Sequence, residues 1–364
     1  MQTPLNNAIN AHKNHISFHT PGLPAGVFTN DITELSFSDN ALFPTGVIAA
    51  SLEEIRSVAG AENARFVTNG ATIAVHTALF AVKDKTVLIC GRCHASVFNA
   101  VRLYNIKAFY TNDIENSSET AEKIGAEAVI YTSVDYFGNI TNLPHIDENI
   151  IVIADESHGA HFPFSEKLKK LSALRRADIV IHSCHKTLPV LTGGALLFYN
   201  DRVKTAVETA FPLIHSTSPS YLIMSQIEAA YADLSGKNAS LYDKIMFETI
   251  ADNLTEYGFI KSNALCTSRD FTRLVFEFEV PETVNSGLEN VNIYPECVVD
   301  NKIIFIVTPY NLAQLPKLLS ILKGGKLVQK AQIEGTPSAT IPITESANIS
   351  AFLCKGCAAI YKNF

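Results

Sequence analysis

The sequence predicts an α/β protein built on a mostly parallel seven-stranded sheet, followed by a smaller α+β domain at the C-terminal end. Three observations predict it. Between Ala64 and Tyr199, short apolar runs rich in β-branched residues alternate with helix-like stretches. Those runs are nearly continuous in apolar character, as parallel strands buried on both faces must be. After roughly Ser235 the order changes to a helix-like stretch, then alternating strands, then a helix.

Taken in order, the predicted strands are Arg65–Thr68, Thr86–Cys90, Lys107–Tyr110, Ala128–Thr132, Ile150–Ala154, Ile179–Ser183 and Ala195–Phe198. Helical spacing of apolar residues falls between them at Thr72–Val82, Ser96–Tyr104 and Ser118–Gly125. Strands alternating with helices imply βαβ units and a parallel sheet. Beyond them, Leu241–Tyr257 reads as helix, "FTRLVFEFEV" and "KIIFIVTP" as strands, and "LAQLPKLLSIL" as helix. The loose mixture of Gly, Pro, Ser and Thr from Lys323 to Pro342 reads as a connection. The division is then an N-terminal segment (1–30), a large domain (31–240) and a small domain (241–364).

The bulk properties narrow the function. A chain of 364 residues with 47% hydrophobic and 18% charged residues is expected to be soluble and globular with two domains. A formal charge of −7 argues against a nucleic-acid or anionic-membrane surface, which needs a basic face. The basic runs at Lys167–Lys170 and Arg175–Arg176 read as a solvated helix face. The first twenty residues have no apolar stretch of a signal peptide, and no run nears the ~20 apolar residues of a membrane helix. Seven cysteines without framework spacing fit free thiols in a reducing cytoplasm, which is the expected location.

One motif competes for attention. Cys90-Gly91-Arg92-Cys93-His94 spells C-x-x-C-H, the attachment pattern of a covalent haem. Such haem is normally attached outside the cytoplasm, and nothing in the sequence exports this chain. A four-thiolate zinc site joining Cys90 and Cys93 to Cys354 and Cys357 would need two single pairs from distant parts of the chain. Buried strand-end and helix thiols are the simpler reading, and no metal is expected.

Open α/β sheets bind ligands beyond the carboxyl ends of their strands. There the sequence places "NGAT", "GRCHAS", "DESHGAH" and "CHKTL" after four of the seven candidate strands. Asp155 ends one buried strand, and Lys186 follows the next, 31 positions later. Such a pair can be a plain buried ion pair. It also matches pyridoxal phosphate, whose aldehyde takes a lysine and whose ring nitrogen takes a carboxylate. The other parts favour the second explanation. Gly70 and Thr72 open a helix whose N–H groups suit a phosphate, His94 can cover a flat ring, and Ser183 and His185 flank the lysine.

Here the residues resemble a family. "DESHGAH" around Asp155, "SCHKTL" around Lys186, "TNGAT" at Thr68–Thr72 and "CHAS" at Cys93–Ser96 look like the pyridoxal-phosphate enzymes that decarboxylate ornithine, lysine and arginine. "DITELSFSDNALFPTGVI" (Asp31–Ile48) and "STSPSY" (Ser216–Tyr221) are also similar to that group. The likeness is specific from roughly Phe18 to Gln226 and fainter in the small domain. It implies the aspartate-aminotransferase type of fold, fold type I. By this resemblance Lys186 binds the cofactor aldehyde, Asp155 pairs with its ring nitrogen and His94 stacks on the ring. Gly70, Ala71, Thr72, Ser183 and His185 surround the phosphate, and His158 lies near the ring. Thr217 and Ser218 would reach the phosphate of a neighbouring subunit, so the resemblance implies a homodimer or higher homo-oligomer.

The chain also departs from that family's pattern. Leu23-Pro24 follow Pro21-Gly22 where the family usually has His-Lys, Ala71 stands where a hydroxyl is common, and Ser157 replaces an alanine. The C-terminus is shorter than the family's usual tail. The expected activity is decarboxylation of lysine, ornithine or arginine to an amine, a step towards polyamines. A lyase, aldolase or aminotransferase reaction on the same scaffold, or a cofactor-binding chain without turnover, remains open at this point.

Overall fold

The computed structural model describes residues 1–22, 31–239, 241–259, 269–323 and 340–342. In chain order the helices and strands are α1 (Pro4–Ala11), α2 (Val47–Ala59), β1 (Asn63–Val67), α3 (Gly70–Ala81), β2 (Val87–Cys90), α4 (Ala95–Leu103) and β3 (Ala108–Thr111). They continue with α5 (Ser117–Ile124), β4 (Ala128–Thr132), β5 (Ile151–Asp155), β6 (Ile179–His182), β7 (Ala195–Tyr199), α6 (Lys204–Ile214) and α7 (Tyr221–Ser235). The last are α8 (Glu248–Glu256), β8 (Arg273–Glu277), α9 (Pro281–Glu289), β9 (Cys297–Val299), β10 (Lys302–Ile306), α10 (Leu315–Leu322) and β11 (Thr340–Pro342).

The large sheet runs β1-β7-β6-β5-β4-β2-β3-β11. β3, β2, β4, β5 and β6 are mutually parallel, while β7 is antiparallel to both β6 and β1. The seven strands expected from the sequence are all present, within two residues at each end. The sheet gains an eighth, because β11 pairs antiparallel with β3 inside the stretch expected to be a connection. Three residues containing a proline carry too little periodicity to signal a strand.

Each central strand feeds two cores, since successive side chains leave opposite faces. From β2, Leu88 and Cys90 join one core, and Val87 and Ile89 join the other. The second core lies against α3, α4 and α6 through Val75, Leu79, Phe98, Val101, Val207 and Phe211. The first packs α2, α7, α8 and α10, and continues into the small sheet through Leu274, Phe276, Ile303 and Phe305. That sheet is antiparallel, in the order β8-β10-β9. The helix expected at 241–257 opens with a π-helical stretch, Leu241–Phe247, before α8. The basic run at 167–176 lies on turns and a short 3-10 segment rather than on a helix, with the Lys167 ammonium 3.2 Å from the centre of the Phe247 ring. Among the described residues no helix is long and apolar enough to cross a membrane.

Candidate active site

Strand register brings the candidate residues together. Thr132, Asp155 and Ile181 are partners across β4, β5 and β6, so these parallel strands end side by side. The chain leaving β6 makes a 3-10 turn, Cys184–Lys186, which places Lys186 just beyond the end of the neighbouring Asp155 strand. Both side chains line one cavity of about 220 Å³, together with Gly70, Ala71, Thr72, His94, His158, Ser183 and His185. Nine of the eleven residues singled out from the sequence therefore share one space. Thr217 and Ser218 do not line it; they are exposed on the segment between α6 and α7, where Ser218 N donates to Ser216 Oγ at 3.0 Å.

At the start of α3, Gly70 has φ +80° and donates its N–H to Gly193 O at 2.8 Å. Gly193 has φ +96°, and a Cβ there would sit 3.1 Å from Thr68 O, whereas at Gly70 the positive φ alone favours glycine. Asn69 does not cap the helix with its side chain. The first-turn N–H groups of Ala71 and Thr72 have no acceptor within the helix and stand at the positive end of its dipole. The arrangement suits an anion.

Asp155 is buried and accepts from Ser157 N at 3.0 Å and from Ser157 Oγ. Ser157 thus binds the carboxylate, which an alanine at that position cannot do through its side chain. His94 is the N-cap of α4: its Nδ1 accepts from Ser96 N at 3.2 Å and lies 2.9 Å from Ser96 Oγ. Burial lowers its pKa, opposed by Asp155 and assisted by Lys186. Burial also lowers that of His185, whose Nδ1 is 3.2 Å from Gly194 O.

The structure adds residues that the sequence reading missed. His158 Nε2 lies 2.9 Å from Lys186 Nζ, and its Nδ1 lies 2.9 Å from Arg273 Nη2. The Tyr136 ring lies 4.4 Å from that of His158. Asp300, Cys297 and Val299 close the cavity from the β9–β10 hairpin. Arg273 carried one signal, a cation inside the apolar alternation of "FTRLVFEF". Its partner cannot be read from sequence, because 115 positions separate the two.

The C-x-x-C-H spelling resolves into separate parts. Cys90 and Cys93 are buried, with Cys93 Sγ near the Cys90 and Gly91 carbonyls, and burial pushes the Cys90 thiol up to about 12. His94 faces the cavity. Leu23, Pro24, Cys354 and Cys357 lie outside the described residues.

The model of the Orn/Lys/Arg decarboxylase major domain matches residues 107–255, a span that contains Asp155, His158, Lys186 and the Thr217–Ser218 segment. Over that span the chain is similar to the Orn/Lys/Arg decarboxylase family. The uncharacterized protein YaaO of Bacillus subtilis strain 168 is 28% identical, in an alignment covering 84% of this chain and 74% of YaaO. An arginine decarboxylase of Halalkalibacterium halodurans is 25% identical over 66% of this chain and 57% of its own length. Among solved structures, a lysine decarboxylase of Francisella novicida superposes with a TM-score of 0.73 at 19% identity, covering 88% of this chain and 59% of that one. The chain thus spans less than two thirds of either decarboxylase, and the shared architecture is that of the fold type I pyridoxal-phosphate enzymes. The residues present fit that cofactor. One cavity holds an amine, a carboxylate fixed as an acceptor, and uncapped N–H groups at a helix start.

Proposed function

We propose that this chain is a pyridoxal-phosphate-dependent decarboxylase of a basic amino acid, releasing carbon dioxide and the amine of lysine, ornithine or arginine. The observation that carries the reading is the convergence of Lys186, Asp155, His94 and the uncapped start of α3 on one cavity. When bound, the cofactor supplies an electron sink for the pair left at the substrate Cα as the carboxylate departs.

The protein's own residues do the rest. Lys186 would offer the amine that holds the cofactor aldehyde. Asp155, already accepting from Ser157, keeps a proton on the ring nitrogen. His94 presents its ring as a flat cover, fixed in orientation by Ser96. Gly70, Ala71 and Thr72 bind phosphate through backbone N–H groups and the Thr72 hydroxyl, with Ser183 and His185 beside them. His158 stands between Lys186 and the second sheet.

In the same reading Thr217 and Ser218, exposed on their own chain, complete the phosphate site of a second copy in a cytoplasmic homodimer. Residues 31–240 form the cofactor domain, and residues 241–364 the small domain that helps close the cavity. Relatives named for arginine and for lysine both occur, which supports a basic substrate and leaves the choice among three.

The test is to incubate the purified protein with pyridoxal phosphate and each of lysine, ornithine, arginine and the remaining amino acids, following carbon dioxide and amine. Release from one basic amino acid is expected. Turnover of a neutral or acidic amino acid alone, or product without carbon dioxide, would overturn the assignment.

A further inference from the structure

His158 is held from both sides of its ring, with Arg273 Nη2 2.9 Å from Nδ1 and Lys186 Nζ 2.9 Å from Nε2. A guanidinium has donors and no acceptor, so Nδ1 must be the accepting nitrogen. A neutral imidazole carries one N–H, which the Arg273 contact leaves on Nε2. That N–H faces Nζ. An ammonium has no lone pair to receive it, whereas an uncharged amine does. The opposite tautomer would set the Nδ1 proton against the guanidinium, donor facing donor.

We propose that Arg273 is a positioning residue that locks His158 in the Nε2–H tautomer and thereby holds Lys186 as the uncharged amine that attacks an aldehyde. The proposal rests on the reading of Lys186 given above. Imine formation joins Nζ to the aldehyde carbon and expels the aldehyde oxygen as water with the two amine protons. An ammonium cannot begin that step.

The surroundings are built to hold Arg273 in place. Asp270 N donates to Gly138 O at 2.9 Å, and Asn139 bridges to Arg269, docking the approach to β8 on the turn after β4. A Cβ at Gly138 would sit 2.8 Å from Arg273 Cβ and 2.9 Å from Asp270 O, so only glycine allows this approach. Arg273 Nη1 donates to Thr272 Oγ1 at 3.0 Å and lies 3.8 Å from Asp270 Oδ2. Asp270 in turn lies 3.2 Å from His161 Nε2. The charged and titratable groups facing His158 are Lys186, Arg273, His94 and His161, with the Tyr136 ring alongside. Burial first, with the Arg273 guanidinium beside it, holds the His158 imidazole well below its usual range, so it is neutral at physiological pH.

The test uses the full chain prepared without cofactor and labelled with nitrogen-15 histidine, with His158→Gln to assign the signal. The expected spectrum shows a bare Nδ1 and a protonated Nε2. A proton on Nδ1, or an imidazolium at neutral pH, would overturn the proposal. Pyridoxal phosphate is then added as the probe, and borohydride trapping on Lys186 is timed from neutral to alkaline pH. In Arg273→Met, trapping at neutral pH should slow by about tenfold for each unit by which the Lys186 pKa rises, with the gap closing at alkaline pH. Arg273→Lys, which keeps a cationic donor, should restore most of the rate. An unchanged rate and tautomer in folded Arg273→Met would overturn the proposal; if that variant does not fold, the wild-type spectrum and Arg273→Lys decide. Trapping on another lysine would refute the reading of Lys186 and leave the tautomer measurement standing.

Discussion

Glu156 Oε1 lies 3.0 Å from Nε2 of His182, and both side chains are fully buried. Glu156 also accepts from Ser133 Oγ, Ser172 Oγ and Ala173 N. It follows Asp155 directly, and successive residues of an extended chain point to opposite sides. One carboxylate therefore faces the cavity, while the next ties together the segments beneath it. Glu156→Ala should destabilise the protein by about 3–5 kcal/mol, the usual cost of removing one partner of a buried pair. Urea unfolding would measure it; a loss within ~1 kcal/mol would show that the network carries little.

Asp155 should behave differently. Asp155→Asn should fold as stably as the wild type within ~1–3 kcal/mol but bind or use pyridoxal phosphate at least about 100-fold less well, because a charged partner is lost. Ser157→Ala removes one of the two donors to Asp155 and leaves Ser157 N in place. Its effect on turnover should stay within about tenfold. Steady-state kinetics and cofactor titration of both variants would check the order.

Acid stability should depend on Asp270. Burial alone would raise its carboxyl, but His161, Arg273 and Thr272 bring it down from 3.8 to about 2. A folded value below the unfolded one stabilises the protein above about pH 4, and that contribution disappears as pH falls through 2. It is of order 2 kcal/mol. The difference in unfolding free energy between wild type and Asp270→Asn should be constant from neutral pH to about pH 5 and shrink below about pH 4. A difference that stays flat into that acid range would contradict the pairing.

Thiol reactivity should separate Cys297 from the buried cysteines. Cys90, Cys93 and Cys184 are buried, and burial raises the Cys90 and Cys184 thiols, so thiolate is scarce. Cys297 is half-buried at the cavity wall. An aromatic disulfide reagent followed by peptide mapping should label Cys297 before Cys90, Cys93 and Cys184, and pyridoxal phosphate should slow that labelling. Cys90→Ser and Cys93→Ser should keep the cofactor's visible absorption at a cost of ~1–3 kcal/mol each. Loss of that absorption in either would return function to the C-x-x-C-H spelling.

Site sharing between subunits can be tested by complementation. Inactive Lys186→Ala chains mixed with inactive chains altered at Thr217 and Ser218 would give heterodimers carrying both lesions in one site and neither in the other. Recovery up to one working site per heterodimer is expected. Heterodimers proven by mass spectrometry yet without activity would show that each chain completes its own site.

The sequence by itself determined the seven main strands, the edge of the sheet where the cavity opens, and nine of the residues that line it. Strands buried on both faces must be apolar along their length, so their ends are conspicuous, and residues such as Asp155, His94 and Lys186 stand out just beyond them. Local turn chemistry likewise marked Gly70 and Thr72. Tertiary structure alone decided what reaches the site from afar. β11 joined the sheet by pairing rather than by periodicity. The turn at Gly138 and the loop at Asp270 approach because one lacks a Cβ, a complementarity invisible in either segment alone. Arg273 meets His158 across 115 positions through that contact. Hydrogen-bond direction, and with it the proton on His158, follows from which donor the fold brings to which nitrogen. No local pattern encodes that pairing, because its energy arises only once both segments are packed.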